Sequence, residues 1–171
     1  MQKVIGGILI LSATAGAGVV YGNELKRYLR NMVYLRYVFG LIRGEIEYTC
    51  APLPEIFFGV SARVKEPYRR WLKTAEEMEC RDLSGFARVW NRCTDKYLEI
   101  PGLKQEHKIL IKEPGTFLGS FEKDISDRAM EMYLNKMDLE IEKLRAELAS
   151  KVKVGRCLGV MAGLFFIVLL I

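Results

Sequence analysis

The chain is short of the residue types from which enzyme and metal sites are built. It has one histidine, His107, and four cysteines, Cys50, Cys80, Cys93 and Cys157, with no CxxC pair among them. A structural zinc site needs four donors, usually in paired short spacings, so this scatter argues against one. With a single histidine, a Cys/His or Ser/His/Asp arrangement would have to be assembled from distant parts of the chain. No Gly-Lys-Ser/Thr follows the Gly-Ala-Gly of Gly16 and Gly18, and its surroundings are apolar, which excludes a phosphate loop. No alternating apolar run is long enough for a strand. Acidic residues are missing from both ends, all 21 lying between Glu24 and Glu147. There they interleave with Lys and Arg, so most of the excess positive charge behind the net +5 is locally cancelled. No basic stripe with interleaved aromatics stands out, and nucleic acid is not an expected ligand.

What is present is apolar sequence at both ends. Residues 4–23 read VIGGILILSATAGAGVVYGN, uncharged throughout, which makes about 30 Å of helix and matches a hydrocarbon core. Residues 157–171 read CLGVMAGLFFIVLLI, about 22 Å of helix, reaching span length if Val154 to Arg156 join with Arg156 snorkelling. A secretory signal peptide competes for the first segment, because Ala13-Thr14-Ala15 resembles a cleavage site. Charge favours an anchor instead. Lys26, Arg27, Arg30 and Arg36 follow the first segment, Lys151, Lys153 and Arg156 precede the second, and only Lys3 and the amino terminus lie upstream. The positive-inside rule then holds the middle in the cytoplasm and both termini across the membrane. The expected organisation is a membrane span at 1–23, a cytoplasmic helical bundle at 24–153 and a second span at 154–171. In that compartment the cysteines are reduced thiols, expected as small core residues. Gly155, Gly159 and Gly163 lie in register at four-residue spacing and suit close packing of membrane helices.

The middle reads as all-α. Leu25, Tyr28, Met32, Leu35, Phe39, Ile42 and Ile46 alternate three- and four-residue steps, an apolar seam. Met130, Leu134, Met137, Ile141, Leu144 and Leu148 form a second seam whose spacing continues through Val152 into the last apolar segment. If both spans emerge on one side, the two seams pack antiparallel. Between them Pro52 and Pro54 start a helix through about Val64, and Pro67 starts another through about Glu79. Asp82 or Ser84 caps a third, and a fourth ends near Glu113-Pro114-Gly115. The fold class is an all-α, antiparallel bundle of about six helices flanked by an N-terminal and a C-terminal transmembrane helix.

Candidate chemistry is sparse. Glu45 and Glu47 are near neighbours, but two residues of helix turn them about 200° apart, so they cannot share one substrate oxygen. Glu47 and Glu55 could meet only through tertiary folding. Asp124 and Asp127, one turn apart, could hold a cation, although a solvated helix start accounts for them better. No catalytic residue, cofactor or metal is expected. Pro52 and Pro54 mark the end of the first long helix, with Tyr48 and Leu53 expected to help hold the turn; Glu47 and Glu55 are the candidates to face a partner.

These residues also carry a resemblance. Lys3-Val4-Ile5-Gly6 opens the first span, Glu45-Ile46-Glu47-Tyr48 is followed by Pro52-Leu53-Pro54-Glu55, and Leu118-Gly119 precedes the long final helix. Together they resemble the stage III sporulation protein AB family of endospore-forming bacteria over almost the whole chain. Departures from that pattern fall at Ala51, Glu122 and Ser126. The resemblance implies a non-enzymatic subunit of the channel complex between mother cell and forespore. It implies a place in the outer forespore membrane, with the central domain in the mother-cell cytoplasm. The family is similar to the cytoplasmic helical domains of type II secretion F proteins. The implied partners are a cytoplasmic ATPase, stage III sporulation protein AA, other membrane subunits and the lipid bilayer, with no small-molecule substrate. The alternative is a membrane-bound hydrolase or metal-dependent enzyme using Glu47, Glu55 or His107. A third reading, a translocated domain, would let Cys80 and Cys93 form disulfides.

Overall fold

In the computed structural model, residues 2–49, 51–79, 85–119 and 123–170 are described, without the side chains of most of 2–17 and 155–170 or of 123–125. Among the described residues six α-helices follow one another: α1 (Gln2–Thr49), α2 (Leu53–Ser61), α3 (Tyr68–Glu79), α4 (Phe86–Tyr97), α5 (Gln105–Lys112) and α6 (Lys123–Leu170). A short 3₁₀ turn, Glu113–Thr116, continues α5. Among the described residues there is no strand. The all-α class follows from the two seams and the punctuation between them. The boundaries at 23/24 and 153/154 are not breaks in the backbone, because α1 and α6 are each one continuous helix of 48 residues.

The chain forms two compact units, residues 31–140 and residues 1–30 with 141–171. In the first, the α1 seam is sealed: Met32, Leu35, Phe39 and Ile42 are fully buried and Ile46 nearly so. Met130, Leu134 and Met137 of α6 are equally buried. The two helices run antiparallel. Arg36 reaches Asp138, Phe39 meets the Tyr133 ring, and Arg43 reaches Glu131, so numbering falls along α6 as it rises along α1.

The shorter helices close over this pair with an aromatic core. Phe57 of α2 stacks on Phe86 and Trp90 of α4 at centroid distances of 5.8 and 5.7 Å. Trp71 of α3 lies 4.6 Å from Trp90, and Phe39 meets Trp71 edge-on at 6.0 Å. Such pairs add about 0.5–1.5 kcal/mol each to the burial of the rings. The Trp90 indole N–H donates to the Ile111 carbonyl at 3.0 Å, satisfying a polar group that burial would otherwise penalise. Two glycines permit this density. A Cβ on Gly115 would lie 2.8 Å from Trp90 Cδ1, and one on Gly119 would lie 2.8 Å from Phe86 Cβ. Leu118-Gly119, part of the resemblance, is therefore a packing element, with Leu118 buried and Gly119 giving α4 room.

Two boundaries differ from expectation. Helix α2 stops at Ser61 rather than Val64. Ser61 Oγ turns back onto the Phe58 carbonyl at 2.8 Å, and Val64 enters the core from the following turn. Helix α4 begins after Gly85, whose φ of 101° an L side chain rarely adopts, in the N-cap position. Asp82 and Ser84, the expected caps, lie outside the described residues.

In the second unit Gly22 is buried, and a Cβ there would touch the Val152 methyls at 3.5 Å, ordinary contact distance. Glu147 and Lys151 form the expected i,i+4 pair at 2.6 Å, about half exposed. Val19, Val20, Val154, Met161 and Phe165 are all more than half exposed. Among the described residues no helix is long and apolar enough to cross a membrane; most side chains of both expected spans lie outside that description. The side-chain surroundings of Gly155, Gly159 and Gly163 lie outside it too.

Candidate functional site

Several charges in the 31–140 unit are paired with one another. Arg36 makes a bidentate pair with Asp138 at 2.9 and 2.8 Å, and Arg43 spans Asp127 at 3.0 Å and Glu131 at 3.2 Å. Hydrogen bonding to these carboxylates holds both guanidinium groups still further above their ordinary range. All are partly exposed, so each pair contributes little to stability and serves mainly to set helix register. Asp127 is thus engaged by Arg43 rather than free at a helix start. The Asp124 side chain lies outside the described residues. On the α4/α5 side, Asp95 is held by Lys108 at 2.8 Å and Lys112 at 2.7 Å. Those two hydrogen bonds push its carboxyl below the usual range.

The corner between α1 and α2 is built differently. The Thr49 hydroxyl donates to the Glu45 carbonyl at 2.7 Å and accepts from the Ala51 N–H at 3.4 Å. The Pro52 carbonyl accepts the N–H groups of Glu55 at 3.0 Å and Ile56 at 3.2 Å, opening α2. Glu45 is ion-paired with Arg63. Tyr48 does not hold the turn: its side chain is 84% exposed, because it lies about 200° around the helix from the buried Ile46. The role expected of it falls to Thr49. Leu53 and Pro54 are half-buried and Pro52 is exposed. Glu47 and Glu55 are both exposed, and Phe58, one residue after the fully buried Phe57, is 62% exposed. On α2, Glu55 and Phe58 are three residues apart and share the outer face. An acidic corner carrying uncovered aromatics is suited to contact with another protein.

The groups of the hydrolase alternative are not gathered. His107 is 3% exposed, with its Nε2 4.0 Å from a Glu140 carboxylate oxygen, while Glu47 and Glu55 face solvent. Among the described residues no group of three His, Cys, Asp or Glu side chains is placed to hold a metal. Cys93 is a buried free thiol, pushed up to about 11 by desolvation, its sulfur 3.3 Å from Met78 Sδ. Cys157 is free and exposed rather than in a core, and Cys50 and Cys80 lie outside the described residues.

A second surface feature escaped sequence reading. A cleft of about 530 Å³ is lined by Glu66, Pro67, Arg69, Arg70 and Lys73 at the start of α3 and by Tyr97 and Glu99 at the end of α4. The Arg70 guanidinium lies 5.9 Å, and the Lys96 ammonium 5.3 Å, from the Tyr97 ring centroid. The basic pair Arg69-Arg70 was visible in sequence; the tyrosine opposite it, 27 positions away, was not.

The fold and surface define a class: a helical protein with a partly ion-paired bundle that leaves some aromatics and cations exposed. The family model for stage III sporulation protein AB matches residues 3–171. Stage III sporulation protein AB of Bacillus subtilis (strain 168) is 21% identical over 170 residues, covering 99% of each chain. No solved structure matches. The chain belongs to the stage III sporulation protein AB family.

Proposed function

We propose that this protein is a non-enzymatic membrane adaptor of the sporulation channel complex. In this reading its helical domain docks a cytoplasmic ATPase, stage III sporulation protein AA, and its ends anchor it among other membrane subunits. The observation that carries this reading is the α1/α2 corner. Tyr48 and Phe58 are exposed beside Glu47 and Glu55, while Ile46, Ile56 and Phe57 directly adjoining them are buried. Packing does not require the residues at those outward positions to be aromatic. Anchoring is supported by the uncharged runs at 4–23 and 157–171 and by the exposed apolar side chains of Val19, Val20, Met161 and Phe165. The flanking basic residues favour a central domain in the cytoplasm, and the family resemblance implies the mother cell and its outer forespore membrane.

The test is photocrosslinking in sporulating cells from positions 48 and 58. Capture of the ATPase, lost on Glu47→Lys with Glu55→Lys while helicity is retained, is the expected result. Capture that survives every charge reversal at this corner would sink the assignment. Topology is read by a membrane-impermeant thiol reagent on Glu55→Cys in a chain whose four native cysteines, Cys50, Cys80, Cys93 and Cys157, are replaced by Ala. Labelling in intact cells would overturn the cytoplasmic placement.

A further inference from the structure

We propose that the cleft between the start of α3 and the end of α4 binds an acidic peptide segment of a protein partner. Several cations elsewhere in the same unit are ion-paired, which, among the described residues, those at the cleft are not. Arg36, Arg43, Arg63, Lys108, Lys112 and Lys136 each meet a carboxylate within ion-pair distance. At the cleft, Arg69 donates its Nε–H to the Val64 carbonyl at 3.1 Å, and Arg70 and Lys96 flank the Tyr97 ring. Among the described residues none of Arg69, Arg70, Lys73 or Lys96 has a carboxylate partner. Arg69, Arg70 and Lys73 in the lining, with Lys96 on the Tyr97 ring, outnumber Glu66 and Glu99 and leave the concavity net positive.

The two carboxylates of the lining decide the class of ligand. Glu66 accepts the Arg70 backbone N–H at 3.3 Å, near the N-terminus of α3, and Glu99 is exposed at the end of α4. A phosphate polymer brings negative charge alone and would be repelled by both. A peptide brings carboxylates for Arg70 and Lys73, N–H donors for Glu66 and Glu99, and apolar carbons for the faces of Tyr97 and Pro67. A volume of about 530 Å³ fits a few side chains rather than a folded domain. This surface carries the opposite charge to the corner of Glu47 and Glu55 and requires no assumption about what docks there.

The experiment uses the full chain in neutral detergent and a fluorescein-labelled decapeptide of Glu and Gly ending in Tyr, read by anisotropy. Arg70→Glu with Lys73→Glu should weaken binding about tenfold. The same charge reversal on α6, Arg128→Glu with Lys136→Glu, should change it less than about twofold at 0.15 M salt. Tyr97→Ala should weaken binding about threefold, with Tyr97→Phe restoring it, since the ring face rather than the hydroxyl meets the cations. Circular dichroism and thermal melting of each variant confirm that these surface changes leave the fold intact. Equal loss from the α6 control would reduce the effect to net charge and overturn the proposal. So would displacement of the peptide by oligothymidylate at the same or lower concentration, which would make the cleft a nucleic-acid site.

Discussion

Phe57 and Phe58 are chain neighbours of the same type in opposite situations. The inner face of α2 buries Phe57 completely, stacked on Phe86 and Trp90, whereas the outer face leaves Phe58 62% exposed beside Glu55. Arginines divide in the same way. Arg36 and Arg43 are locked to α6 carboxylates, while Arg69 and Arg70 border a cleft and have no carboxylate partner among the described residues. A ring or a charge used by the fold already has its partner within the bundle. One left uncovered on an otherwise well-packed bundle is available to another molecule.

The widest gap between the two regions should appear in a pair of truncations. Phe57→Ala removes a ring from the aromatic core and should cost about 3–5 kcal/mol, read as a large fall in the urea midpoint. Phe58→Ala should stay within about 0.5 kcal/mol while reducing ATPase capture. Equal destabilisation by the two would erase the distinction. Next in size is Gly115→Ala. The added methyl meets Trp90 at its Cβ and Cγ as well as Cδ1, too near the backbone to swing aside, and should cost about 1–3 kcal/mol. Smaller still is the Arg36–Asp138 pair, part-exposed, for which a double-mutant cycle should return no more than about 1 kcal/mol. The smallest effect is acid-dependent. The Asp95 carboxyl is held below its ordinary range, so its contribution is fully present above about pH 4 and is lost as pH falls through the depressed value. Asp95→Asn should flatten the acid limb of the stability curve slightly, and an unchanged limb would show that Lys108 and Lys112 do not hold it.

The seams were legible because burial on a helix imposes a period, and Met32, Leu35, Phe39 and Ile42 keep that period whatever covers them. The α1/α2 corner was legible because two prolines punctuate it. Tyr48 was misjudged because an aromatic near a turn looks like a packing residue; only its angle from Ile46 sends it outward. The cleft was illegible because Arg70 and Tyr97 sit on different helices, and no periodicity within either one predicts their meeting.

What the sequence determined by itself was local in origin: the all-helical class, the two long apolar seams, the uncharged ends and the family resemblance. The class and the seams rest on interactions that repeat every few residues along one helix, the ends on local composition, and the resemblance on short motifs in chain order. Tertiary structure alone decided which charges were neutralised and which aromatics were covered. The partners of Arg43, Asp95 and Phe57 lie 84, 13 and 29 positions or more away in the chain, and only the packing of one helix on another brings such groups within reach.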